Sequence, residues 1–508
     1  MNYRQNNSRK PESPHSYRTS ESSRQPDRRP SAARAESRVG AESGRRGYAP
    51  ARSSRESSGA ATPRAGSAEQ GRRPASARAG LPSLLRRPAP RGVAAPVTRS
   101  AGGSRVRLLA WQSLMRWQRG GIFAETLVAR EGSSLSRSDR ALLQAILYGC
   151  LRHLSWLDHL CTQLRPGKLE PEWRALILTG LCQLFILHQA EHAAVSETVS
   201  LAPKRVRGLV NAVLREALRR RSALMAEREQ LPLALRYSAP EWLVQRWVSQ
   251  LGADETAALL AWNCTEPPVY ARLNPLSPMQ PPAAWQQLPG EPLWYRVVGP
   301  LPLRALEAGQ LYIADPSTRH SIRLLDPRPG EYLLDACAAP GGKSVAMIGA
   351  TGGDLHLLAT DLHEHRLPKL RENLRRAGGR DVRVAQHDWT LPCPDDWRGQ
   401  FDGVLLDVPC SNTGVLQRRV DARWRLDEGE IARLAALQKT LLQSASAAVR
   451  PGGRIVYSTC SIDREEDRAV VDDFLAANPE FEFVDEYLAL PHREHADGAY
   501  AALLRRRS

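Results

Sequence analysis

Residues 332–344 read YLLDACAAPGGKS. A short apolar run rich in strand formers ends on Asp335, a proline and two glycines turn the chain, and Lys343-Ser344 open a stretch of helical period. That order brings backbone N–H groups close to whatever sits at the helix N-terminus. Four further runs repeat the pattern: LHLLATD ending at Asp361, RVAQHD ending at Asp388, FDGVLLDVPC carrying Asp407 and Cys410, and GRIVYSTCS carrying Cys460. Helical segments such as 367–377 and 431–449 lie between them. The alternation from Leu311 to Leu504 predicts an α/β domain built on a doubly wound, mostly parallel sheet. Such sheets bind ligands beyond the carboxyl ends of their strands, where all of these residues fall.

The turn superficially matches a phosphate loop, but GxxxxGK[ST] requires glycine at 337 and Cys337 stands there. It remains suited to hold a dipolar cofactor by backbone contacts. Asp361, 18 residues beyond Lys343, ends the next strand, where a carboxylate accepts both hydroxyls of a ribose. Asp388 ends the third.

Upstream the period changes. Leu142, Leu143, Ile146, Leu147, Leu151, Leu154 and Leu157 recur at spacings of three and four, as do Leu176, Leu178, Leu181, Leu184, Phe185 and Leu187. With no strand alternation between them, residues 104–231 read as an all-α domain. Residues 232–310 read as a connector with helical and extended pieces. Residues 1–103 are Arg, Ser, Ala, Gly and Pro with few large apolar side chains, so this basic tail is expected to be disordered. It carries most of the charge: the 508-residue chain has 71 Lys+Arg and 54 Asp+Glu, a net of +17, and residues 1–100 hold 21 Lys+Arg against 7 Asp+Glu. The rest is therefore close to neutral, and the basic total is no argument that the folded part binds nucleic acid. No run of 18 apolar residues occurs, and the N-terminal MNYRQNNSRKPESPHS lacks a signal-peptide core. The eight cysteines form no CxxC pair or tight cluster with histidine, so no metal is expected. A cytoplasmic protein with free thiols, making no membrane contact, is expected instead.

Taken together, SDRALLQAILYGCLRHLSWLD, HAAVSETV, GLVNAVLRE, DACAAPGGK, DVPCS and TCS resemble the RsmB (Fmu/Sun) type rRNA cytosine-C5 methyltransferases with an N-terminal NusB-like domain. The resemblance covers about 400 residues and implies a Rossmann-like class I methyltransferase domain at 311–508. It implies S-adenosyl-L-methionine as cofactor, held by Cys337, Ala338, Ala339, Pro340, Gly341, Gly342 and Lys343 together with Asp361, Asp388 and Asp407. It implies that Cys460 is the nucleophile, that Cys410 assists release and that Asp407 holds the cytosine edge or the cofactor. The substrate would be a single-stranded or loop cytosine of small-subunit rRNA, in that family cytosine 967 of 16S rRNA, and the enzyme a monomer. Arg272 and Asn274 match an RNA-contacting subdomain.

The chemistry needs these groups. Cytosine C5 is a poor carbon nucleophile until a thiolate adds at C6, and afterwards a base must remove the C5 proton. The site should therefore favour the Cys460 thiolate. Cys150, Cys161, Cys182, Cys264 and Cys393 read as core residues. Four positions depart from the family pattern, Ala314, Val408, Val420 and Ala499, and the expectation is that they alter the target-base pocket. DNA cytosine methylation, in which the Pro-Cys thiol is itself the nucleophile, leaves Cys460 without a role. A NusB-like antitermination factor with a vestigial transferase domain does not explain why Asp361, Asp407, Cys410 and Cys460 are all retained. A 5-methylcytosine transferase acting on another RNA remains an alternative.

Overall fold

The computed structural model describes residues 102–508. The expectation of a disordered tail falls, up to residue 101, outside them. Eight helices, from Gly102–Gln118 to Arg221–Arg228, make the first part. Five of them, Gly102–Gln118, Arg137–Arg152, Leu154–Leu164, Glu191–Leu201 and Lys204–Arg219, pack on the Pro171–Phe185 helix, in which every residue from Ala175 to Phe185 is buried. That explains why its sequence shows no polar stripe: a helix surrounded on all sides has none. Gly180 is the point of closest approach, since a Cβ there would lie 2.8 Å from Leu214 Cδ2 of the Lys204–Arg219 helix.

After helices Leu233–Arg236, Glu241–Leu251 and Ala253–Asn263 comes a small antiparallel sheet. Its strands are β1 (Tyr270–Leu273), β2 (Gln286–Leu288), β3 (Glu291–Arg296) and β4 (Leu311–Ile313), in the order β2-β3-β1-β4. Leu273 pairs with Leu311, so the segment expected to open the catalytic domain is instead the edge strand of this sheet. Arg272 and Asn274 do not face outward toward an RNA. The Arg272 guanidinium donates to the carbonyls of Val345 (3.3 Å) and Ala346 (3.2 Å), and Asn274 Nδ2 to those of Gly309 (2.8 Å) and Ala377 (3.2 Å). Burial lowers Arg272 to about 10. Both residues fasten the small sheet to the domain that follows.

That domain holds seven strands: β5 (Tyr332–Asp335), β6 (His356–Asp361), β7 (Asp381–Gln386), β8 (Phe401–Asp407), β9 (Val449–Thr459), β10 (Phe481–Ala489) and β11 (Ala499–Arg506), in the order β10-β11-β9-β8-β5-β6-β7. The run β9-β8-β5-β6-β7 is parallel, and β11 and β10 add antiparallel at one edge. The chain winds outward from β5 to β7, then returns to the other side of β5 with β8 and β9. The crevice between β5 and β8 is thus the topological switch point.

Two of the four departures are packing residues. Val420 is buried within the core of the helical part, and Val408 lies in the sheet core with its N–H donated to Ser458 O at 2.9 Å. The Val420 segment docks the helical part: Asp421 Oδ2 accepts from Ala124 N (2.9 Å), Trp424 Nε1 donates to Leu151 O (2.9 Å) and Arg152 Nη2 to Gln417 O (3.0 Å). Both side chains fill core volume.

Candidate active site

The glycine-rich turn is clamped from behind. Ala338 N–H donates to Thr360 O (2.8 Å), Ala339 N–H to Asp361 Oδ2 (3.1 Å), and Pro340 O accepts from Asn373 Nδ2 (2.8 Å). Gly341 takes φ +106 at the start of the Gly342–Ala350 helix, a conformation open to glycine, and a Cβ there would press within 2.9 Å of Leu370 Cδ1. A Cβ at Gly342 would meet the Tyr312 ring at 3.2 Å.

Four carboxylates ring the strand ends. Asp335 is fully enclosed; Ser344 Oγ donates to its Oδ2 at 2.5 Å, while Oδ1 has no partner among the described residues. Burial raises Asp335 to about 7, against the Ser344 bond and with help from nearby Asp407. Asp361 is 3% exposed and already well supplied with donors. His363 N–H (3.0 Å) and Arg366 Nη1 (3.3 Å) donate to Oδ1, and Ala339 N–H to Oδ2. Arg366 also donates to Ala339 O at 2.6 Å. Asp388 forms an Asx turn, accepting from Thr390 Oγ1 (2.7 Å) and N (2.9 Å), and these bonds hold it below the usual carboxylate range. Asp407 sits 2.7 Å from Lys343 Nζ. Burial works against the Lys343 ammonium, but Asp407, with smaller help from Cys460 and Asp335, turns the net direction upward. Burial pushes the Cys337 thiol up.

The β8–β9 register, Asp407 opposite Ser458, brings Cys410 and Cys460 together. Cys410 Sγ lies 3.0 Å from Cys460 Sγ and accepts from Cys460 N–H at 3.3 Å. The hydrogen bond with Cys460, then burial, pushes the Cys410 thiol well up. Cys460 is the more open of the two, and its S–H donates to Asn412 Oδ1 at 3.3 Å. Among the remaining thiols, Cys150, Cys161, Cys182 and Cys393 are buried, and Cys264 is half-buried with its S–H directed at Tyr237 O, 3.2 Å away.

Several supporting residues have no counterpart in the sequence reading. Glu466 Oε1 accepts from Ser411 N–H (2.8 Å) and Gln438 Nε2 (3.0 Å), and Ser411 Oγ donates to its other oxygen. Glu466 lies in DREEDR, which resembles a solvated charge run, yet it is buried. Glu466→Ala should leave the Ser411 amide unpaired and cost about 2–3 kcal/mol of stability, checked by urea unfolding. Arg418 Nε bridges both oxygens of Asp497 (2.9 and 2.8 Å) and its Nη2 reaches Asp315 Oδ2 (2.7 Å). Burial beside Asp315 raises Asp497 to about 7. This network backs a cavity of about 90 Å³ lined by Asp315, Ser317, Lys343, Thr459, Cys460 and Ala499. Of the departures, Ala499 does reach the site.

Comparison with known proteins agrees with this geometry. Residues 322–505 match the family described as 16S rRNA methyltransferase RsmB/F, and residues 104–219 the NusB family. Ribosomal RNA small subunit methyltransferase B of Yersinia enterocolitica is 35% identical over 403 residues, spanning 74% of this chain and 92% of the relative. The protein of the same name from Klebsiella pneumoniae is 35% identical over 405 residues, with the same shares of 74% and 92%. The crystal structure of PH0851 shares the fold, with a TM-score of 0.64 and 23% identity over 79% of this chain and 99% of that one. The chain belongs to the ribosomal RNA small subunit methyltransferase B family and is a methyltransferase with a NusB-like helical part.

Proposed function

We propose that the enzyme methylates C5 of a cytosine in small-subunit rRNA through a covalent bond between Cys460 and C6. The observation that carries this reading is the pair of thiols 3.0 Å apart at adjacent strand ends, beside the Lys343–Asp407 ion pair. S-adenosylmethionine is the methyl donor, and when bound it supplies an electrophilic methyl on a sulfonium. The residues fit it. Asp335 Oδ1, unpaired and buried, suits an ammonium group, and Asp361 suits a diol in exchange for Arg366.

Cys460 gives its proton to solvent water and its thiolate bonds to C6, which makes the ring an enamine whose C5 is nucleophilic and takes up the methyl. Asp407 holds the cytosine N3/N4 edge, with Lys343 fixing its carboxylate. Cys410, its own proton lost to solvent, then takes the C5 proton as a thiolate, and the electrons left at C5 expel Cys460 as a thiolate and regenerate the aromatic ring. A thiol must approach C6 from above the ring, so single-stranded or loop cytosines are the substrates. Action on rRNA implies a cytoplasmic enzyme; among the described residues no helix is long and apolar enough to cross a membrane. Bisulfite sequencing of rRNA from a strain lacking the gene tests the target: one small-subunit cytosine, at the position equivalent to 967 of 16S rRNA, should lose its resistance to conversion. Unchanged small-subunit rRNA would contradict it.

Two expected outcomes follow from the carboxylates. Asp361→Asn should weaken S-adenosylmethionine binding by about 2–4 kcal/mol by calorimetry, the scale of two charge-assisted hydrogen bonds. Asp361→Ala should in addition lower stability, because Ala339 N–H and His363 N–H lose their acceptor. Asp335, raised to about 7 in the free protein, is half protonated near neutrality, and a cationic ligand favours its ionised form. Binding should therefore release a proton, and affinity should fall as pH drops through about 7. Asp335→Asn should abolish that dependence, measured by calorimetry in buffers of different ionisation enthalpy.

A further inference from the structure

Asn412 lies outside the two cysteine motifs yet touches both cysteines. It sits in the left-handed region (φ 63°, ψ 26°), half-buried, in the turn between β8 and the short helical turn Thr413–Val415. Its Nδ2 donates to the carbonyl of Cys410 at 2.8 Å, and its Oδ1 accepts from Cys460 Sγ at 3.3 Å. These two contacts fix the amide. A flip about χ2 would turn Oδ1 against the Cys410 carbonyl and lose a hydrogen bond, so an acceptor, not a donor, faces the Cys460 sulfur. An acceptor stabilises S–H and repels S⁻.

The surrounding charges push both ways. Lys343 is a cation within electrostatic reach of Cys460, and it is itself paired with Asp407 at 2.7 Å. Asp467, whose Oδ1 accepts from Thr459 Oγ1 at 2.6 Å, lies behind β9, and Glu466 lies behind Cys410. Asp315 and Asp497 line the cavity in front. The hydrogen-bond partners of Cys460 Sγ among the described residues are Cys410 Sγ and Asn412 Oδ1.

We propose that Asn412 is a positioning residue for the nucleophile: its side-chain carbonyl holds the S–H of Cys460 in the free enzyme, directing that hydrogen away from Cys410. This rests on the reading of Cys460 as the nucleophile and deepens it. The consequence is an S–H whose hydrogen is held on Asn412 Oδ1, and not shared with the neighbouring thiol, until substrate enters. A thiol 3.0 Å from a second thiol has reason to be kept out of the thiolate form, since thiolates are the species that oxidise and exchange.

The test is pulsed alkylation of the full chain with iodoacetamide from pH 6 to 9.5, with Cys460 labelling read by peptide mass spectrometry. Asn412→Gly keeps the turn, because glycine adopts this φ without strain, and removes the acceptor. Its labelling profile should move to lower pH by about one unit, with labelling at pH 7 about five-fold faster or more. Asn412→Asp keeps an acceptor and gives it a full charge, so its profile should move the opposite way and labelling should slow. Opposite shifts in the two variants support the proposal. Unchanged profiles, or shifts in the same direction as a merely disturbed loop would give, overturn it. Labelling needs no RNA, so it is independent of the methylation reading. The acidic limb of the turnover profile should move with labelling; if labelling shifts and turnover does not, Asn412 holds the Cys460 proton but Cys460 is not the nucleophile.

Discussion

Cys460→Ala should yield no methylated rRNA and no covalent enzyme–RNA complex. Without a thiolate bonded to C6 the pyrimidine does not become an enamine, and the remaining residues can position a methyl donor but cannot make C5 react. The expected loss of turnover is on the order of 10⁴-fold or greater, the scale on which a nucleophile counts. Incorporation of radiolabelled methyl into rRNA measures it. The fold should survive, because Cys460 is only half-buried and its N–H keeps its acceptor on Cys410. Residual turnover within ten-fold of wild type would assign the nucleophile elsewhere.

Cys410→Ala should behave differently. Addition and methyl transfer require only Cys460, but elimination requires a base for the C5 proton, so the enzyme should stall as a covalent complex. In the free protein Cys410 is kept a thiol first by its hydrogen bond with Cys460 and then by burial. Once Cys460 sulfur is bonded to carbon, the first of these causes is gone. Turnover should fall by roughly 10²–10⁴-fold, the range for loss of a general base. The complex should resist denaturation and migrate more slowly on a gel.

The parallel sheet was legible because its inner strands β5, β6, β8 and β9 are largely buried apolar runs and because chemical landmarks, Asp335, Asp361, Asp388, Asp407 and Cys460, stand at or just beyond the strand ends. The adjacency of β8 and β9, and hence the meeting of Cys410 with Cys460, follows from the winding rule for such sheets. The β10–β11 pair and the β1–β4 sheet were not legible in the same way. Their strands mix exposed polar residues with short apolar runs, as in Glu482–Leu488, and β11 and β4 join their sheets through the distant partners β9 and β1.

The site's outer residues were hidden for the same reason. Glu466 sits among charges that resemble a solvated face, and only the fold shows that Ser411 and Gln438 surround it. Arg418 meets Asp497 across 79 residues. Asn412 left one signal, an Asn between Ser411 and Thr413-Gly414 at a turn, where residues tolerant of the left-handed conformation collect. Arg272 and Asn274 pointed elsewhere, while Val408 and Val420 are buried packing residues. Their positions match or depart from a family pattern, yet what they satisfy is buried carbonyls and core volume.

The measurement that tests the account most directly is mass spectrometry of the complex formed when Cys410→Ala enzyme meets small-subunit rRNA and S-adenosylmethionine. After protease and nuclease digestion, the account predicts one cross-linked species, a methylated cytidine nucleotide attached to the peptide carrying Cys460. A nucleotide attached to another residue, or no attachment in Cys410→Ala while Cys460→Ala forms one, would contradict it.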